Sequence, residues 1–150
     1  MVRMIFLFTT TIFVMTAITA TIASAADNWL YMSVKDALQS DLAKDKLDSG
    51  ISFFMKGQSH PRASDETREF TANKRARKFG RSQEEACQYA FVSALIAFQQ
   101  RADKEGRNAA IDLYSITKDK KFESSDQYSC LVGGMVANVA IRGKVANIGK

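Results

Sequence analysis

The sequence predicts an α+β domain: an antiparallel β-sheet packed against one long α-helix, with a short N-terminal helix, behind a cleaved signal peptide. Three observations carry this. One window, Gln83 to Glu105, has a helical apolar period and signals at both ends. Stretches rich in β-branched and aromatic residues lie on either side of it. The first 25 residues have the layout of a secretory leader.

Taken in order, Arg3 supplies the positive end of the leader, and Ile5 to Ile18 is an apolar run broken only by threonine and alanine. Ala23-Ser24-Ala25 then offers a small-residue cleavage site. A retained anchor would need a longer apolar span and a basic stop-transfer cluster. Residues 26–150 are enough for one domain and too few for two. Arg3 is the leader's only charged residue, so twenty cations and sixteen acids remain, a net charge of +4. That mild basicity fits anionic partners without identifying one. The expected location is periplasmic or secreted, with no stable membrane span after cleavage.

Beyond the leader, Ser33 can cap a short helix in which Val34, Ala37, Leu38 and Leu42 share a face. Asp48-Ser49-Gly50 is turn chemistry, and "ISFFMKG" reads as a strand with both faces covered. A polar loop carries His60 and the single proline, Pro61, and "EFTAN" reads as a short edge strand. The long helix opens with the capping box Ser82-x-x-Glu85. Ala86, Ala90, Phe91, Ala94, Leu95, Phe98 and Ala102 form its apolar stripe, and Gly106 supplies a left-handed stop. After it, "NAAIDLYSITKDKKF" reads as a strand. "YSCLVGGMVANVAIRGKVANI" reads as one long strand whose glycine pair, Gly133-Gly134, marks a bulge or a close approach of the helix.

Those glycines raise the question of phosphate binding, and the spacing answers it. A Walker loop needs G-x-x-x-x-G-K-[ST]; here Lys144 is followed by Val145, which has no hydroxyl for magnesium. No G-x-G-x-x-G opens a helix after a strand. His60 alone builds neither a zinc site nor a triad, and the carboxylates, Asp112 among them, are scattered. No cofactor and no catalytic set is expected.

Two features remain. Cys87 and Cys130 are an even pair in a chain read as exported, which points to a structural disulfide over a reactive thiolate or a metal-binding pair. Lys74, Arg75, Arg77, Lys78 and Arg81 crowd the stretch before the capping box. Charge runs are ordinarily solvated, so the first reading is an exposed connector. The functional alternative is a grip on lipopolysaccharide, phospholipid or nucleic acid phosphates.

"EEACQYAFVSALIAFQQRADKEGRNAAIDLYS" with "SSDQYSCLVGGMVANVAIRGKV" resembles a family of small exported bacterial proteins commonly labelled as the ATPase component of the excinuclease ABC system. "VKDAL" and "KLDSGISFFMKGQSHP" share in the resemblance. The second half is also similar, distantly, to compact envelope domains of the Rcs stress-sensor lipoprotein type. The chain departs from the family at Met55-Lys56-Gly57, where Phe-Gly is usual, and at Leu131, often a histidine. The label implies ATP hydrolysis, for which the Walker residues are missing. The residues and the resemblance together imply a non-enzymatic, disulfide-stabilised binding or structural protein of the cell envelope. Its expected partner is an anionic envelope component or an envelope protein.

Overall fold

The computed structural model describes residues 27–48 and 50–149; the leader read over residues 1–25 lies outside them. Among the described residues, seven strands and three helices follow in the order β1 (Asn28–Ser33), α1 (Val34–Gln39), α2 (Asp41–Lys46), β2 (Ser52–Met55), β3 (Ala63–Ser64), β4 (Phe70–Arg77), α3 (Gln83–Lys104), β5 (Ala109–Ser115), β6 (Gln127–Val132) and β7 (Val136–Ile148). A 3₁₀ turn, Thr117–Asp119, follows β5.

The thirteen-residue β7 organises the sheet. Along one of its edges run β4 and then β3, joined by Thr67, whose N–H donates to the Val145 carbonyl at 3.0 Å. Along the other edge lie β6, pairing at Leu131 with Asn138, and β5, from Ala109 opposite Ala146 to Ser115 opposite Ile141. Where these two strands leave a gap, Ile116 donates its N–H to the Ala140 carbonyl at 2.8 Å. Thr117 Oγ1 accepts from the Ala140 N–H at 3.0 Å. Strand β1 extends the sheet beyond β6 and β2 extends it beyond β5.

Helix α3 covers one face. Its expected stripe is buried in full, from Ala86 through Ala102, against Ala137, Val139, Ile141 and Val145 of β7. Four alanines on that stripe let the helix lie close to the sheet, while Phe91 and Phe98 fill the space between them. Phe91 stacks on Tyr128 with ring centroids 3.9 Å apart, and Phe98 meets Phe70 at 4.3 Å. Burying each phenyl contributes on the order of 1.5–3 kcal/mol. The helix ends match the sequence reading. Ser82 Oγ accepts from the Glu85 N–H and Glu85 returns a carboxylate to the Ser82 N–H. At the other end Gly106 sits at φ +64°, and Arg107 donates its N–H to the Ala102 carbonyl at 2.8 Å.

The Cys87–Cys130 disulfide is formed, joining the first turn of α3 to β6 with Cα atoms 5.8 Å apart. Both residues are fully buried.

Several expectations need correction. The sheet is mixed, because β2 runs parallel to β5. A helix-linked crossover between them, through β3, β4 and α3, makes that direction possible. "NWLYMS" is a strand, β1, with no counterpart in the sequence reading. The single short N-terminal helix is two, since Ser40 ends α1 and its hydroxyl caps α2 by accepting from the Ala43 N–H. "EFTAN" is the beginning of an eight-residue strand that runs on to Arg77. The "YSCLV…VANI" run is two strands, not one. Gly133 donates its N–H to the Val136 carbonyl at 2.9 Å, so the glycine pair turns a hairpin where a bulge was expected. The expected cover on both faces of "ISFFMKG" does hold: Phe53 packs on the main core and Phe54 on a small cluster with Ala109, Ile111 and Ala146.

Candidate anion-binding corner

Only Lys78 and Arg81 of the basic run lie in a connector. Lys74, Arg75 and Arg77 belong to β4, and strand pleating divides them. Phe70, Ala72 and Ala76 turn toward α3 and the core, and alternation puts half-buried Lys74 on that side. Arg75 and Arg77 are exposed on the opposite face, in register with Asn138 and Val136 of β7. The five cations therefore do not share one surface. Four of them, Arg75, Arg77, Lys78 and Arg81, flank the corner where β4 gives way to α3. Arg77 and Lys78 line one cleft, Arg75 a second that shares Val136 with it, and Arg81 a third with Asp41, Glu85 and Tyr89.

Local geometry fixes that corner. After β4 the chain turns through Lys78 to Arg81, with the Arg81 N–H donating to the Lys78 carbonyl at 2.9 Å. Gly80 adopts φ +72°, a conformation that suits glycine. Lys78 ties the turn to the β6–β7 hairpin twice. Its N–H donates to the Met135 carbonyl at 3.0 Å and its Nζ to the Gly133 carbonyl at 3.0 Å. Arg81 lies over the Tyr89 ring, 4.2 Å from its centroid, and reaches the Arg77 carbonyl at 3.4 Å.

Charge balance sets these cations apart from a number of the others, although Lys35, Arg62, Arg68, Lys104, Lys120 and Arg142 also lack a carboxylate within 4.0 Å among the described residues. Lys56, Arg101, Arg107, Lys118, Lys121 and Lys144 each have a carboxylate within 4.0 Å. Among the described residues, none of Lys74, Arg75, Arg77, Lys78 and Arg81 does. Arg75 borders a shallow groove with Lys118, Leu131 and Asn138, and Asp27 on its rim is paired with Lys118 at 3.0 Å. Cations beside a helix N-terminus are disfavoured by the macrodipole, and Glu84 and Glu85 in the first turn of α3 offset this.

The other chemically notable residues stand apart. His60 is half-buried in its loop, its ring 5.3 Å from that of Phe54 and Nδ1 2.7 Å from the Pro61 carbonyl oxygen. Asp112 occupies a bulge in β5 at φ +54°, and Glu66 and Asp112 both reach Lys144, at 3.0 and 3.6 Å. The hydrogen bond from Lys144 to Glu66 raises the amine above its usual value. This is an ion-pair cluster, with its carboxylates already engaged. The buried sulfurs of Cys87 and Cys130 are bonded to each other and offer no thiolate.

Sequence reasoning passed over two residues at the corner. Phe79 is 95% exposed and Met135 is 83% exposed, and both border one cleft with Arg77 and Lys78. The available signal was a phenylalanine between a lysine and a glycine in a cationic run. No family model, no curated protein and no solved structure matches this chain.

Proposed function

We propose that the chain is an exported domain of the cell envelope that acts by binding, and that its ligand is an anionic envelope surface. The observation that carries this reading is the gathering of Arg75, Arg77, Lys78 and Arg81 around one corner without a carboxylate partner among the described residues. An unpaired cation near an anionic surface contributes about 1 kcal/mol, so four together supply useful affinity. The buried disulfide supports an oxidising compartment. Among the described residues no helix is long and apolar enough to cross a membrane, so attachment through the corner would be peripheral.

The test is binding to lipopolysaccharide. Replacing Arg75, Arg77, Lys78 and Arg81 by Gln should weaken it on the order of a hundredfold at low salt, whereas Lys74→Gln should leave it nearly unchanged. Equal binding by the fourfold variant and the parent would end the proposal.

A further inference from the structure

Phe79 and Met135 belong to different elements, yet they end at one place. The register sets Arg77 of β4 opposite Val136 of β7, so the turn after β4 and the hairpin before β7 leave the sheet side by side. The two hydrogen bonds from Lys78 to the Met135 and Gly133 carbonyls hold the tips together. Folding buries phenyl and thioether groups where it can, and the remaining large apolar side chains noted as exposed, Tyr31 and Tyr89, are less than half exposed. Their phenol groups give them a polar end, which Phe79 and Met135 lack.

The surroundings of this apolar pair decide what it fits. Arg77 and Lys78 line the same cleft, Arg75 stands two positions back on the same sheet face as Arg77, and Arg81 follows in the turn. Two of the neighbouring carboxylates are engaged, while Asp41 lines a separate cleft with Arg81. Glu85 is turned back on the Ser82 N–H and Asp27 is paired with Lys118; Glu84 sits in the first turn of α3. An apolar tip inside a cationic collar complements a bilayer interface, with cations level with the phosphates and apolar groups reaching the acyl boundary. Two side chains are too little for a stable protein interface, which needs roughly 1,000 Å².

We propose that Phe79 and Met135 form a membrane-docking tip that inserts into the interface of an anionic phospholipid bilayer while Arg75, Arg77, Lys78 and Arg81 hold its headgroups. This rests on the anionic-ligand reading above and adds to it the lipid bilayer as ligand and an apolar component of binding.

Vesicles of phosphatidylglycerol, vesicles of phosphatidylcholine and soluble polyphosphate separate the two ideas. The protein should bind phosphatidylglycerol vesicles and leave phosphatidylcholine largely unbound. The double variant Phe79→Ser/Met135→Ser should lose about tenfold or more in vesicle affinity while keeping its affinity for polyphosphate. Both side chains are solvent-exposed, so the double variant should keep its circular dichroism spectrum and melting temperature. In a Trp29→Phe background, the emission of Phe79→Trp should shift to the blue on phosphatidylglycerol and be quenched by brominated acyl chains. Undiminished vesicle binding by the double variant, or emission from Phe79→Trp that does not change on vesicles, would overturn the docking tip and leave the anionic reading standing. Binding to double-stranded DNA without binding to vesicles would also overturn it. If the fourfold Gln variant keeps both vesicle and polyphosphate affinity, the anionic reading falls and the tip falls with it.

Discussion

Gly143 of β7 faces Leu113 of β5 so closely that a Cβ at position 143 would stand 2.6 Å from Leu113 Cδ2 and 2.9 Å from the Ile111 carbonyl oxygen. The expected close approach of the helix to the glycine pair is not what needs a glycine; the tight contact is between two strands, beside the bulge at Asp112. The Leu113 methyl can move, but the Ile111 carbonyl is backbone and the sheet holds it. Gly143→Ala is expected to destabilise by about 2 kcal/mol, the range seen for overpacked cores. Gly134 has open space around it, so Gly134→Ala should stay within about 0.5 kcal/mol. Urea denaturation of the two variants checks the contrast, and equal effects would contradict it.

The disulfide closes a sequence separation of 43 residues, which in the chain-entropy model stabilises by about 4 kcal/mol. Replacing both cysteines by alanine should lower the unfolding free energy by that order, a large part of the stability of so small a domain. Native protein should give no reaction with a thiol reagent until it is unfolded and reduced. A rapid thiol signal from the native form would show that the bridge is not made.

The capping box at the start of α3 is exposed, so its contribution is separable from packing. Ser82→Ala should cost about 1 kcal/mol, and Ser82→Asp should restore most of it, since Asp accepts from the same N–H and favours a helix N-terminus. Loss of the same size in both variants would point to something other than the cap.

Tyr128 is stacked under Phe91, and its hydroxyl is buried with no hydrogen-bond partner among the described residues. Burial, with the charge of Asp36 adding to it, pushes the phenol well above its ordinary value of 10.0. The folded state then keeps its proton above pH 10 while the unfolded chain releases one. The phenol's contribution is intact below about pH 10 and declines as pH rises toward the folded pKa, at up to about 1.4 kcal/mol per pH unit. Tyr128→Phe should remove that decline and change stability at pH 7 by less than about 1 kcal/mol. Parallel stability curves for the two proteins from about pH 9 to 11 would refute this.

Much of the fold was legible wherever one face of an element is buried and the other is wet. Helix α3 showed itself through its alanine and phenylalanine stripe and both caps, because each of those residues does in the structure what its type does locally. Strand β4 reads short in the sequence because the residues it buries beyond Asn73 are Ala76 and part of a lysine. Arg75 and Arg77, on the wet face, make the segment look like a charged loop. Strand β1 carries Trp29, Tyr31 and Met32 without clear alternation, since only half-burial against β6 is asked of it. The parallel pairing of β2 with β5 depends on residues more than fifty positions apart, and no local pattern encodes it. The same holds for the corner. Its cations were visible as a run, but the split of Lys74 from Arg75 and Arg77, and the meeting of Phe79 with Met135, exist only once β4 and β7 are paired.

Strand β7 comes last in chain order, yet it supplies the hydrogen-bonding partner for β3, β4, β5 and β6. Without residues 136–148 only the β1–β6 and β2–β5 pairs can form, and nothing joins them into one sheet. Such long-range closure slows the acquisition of structure relative to a fold built from local contacts. One strand therefore works as the keystone of the sheet, and substitutions that weaken it are felt on both of its edges at once.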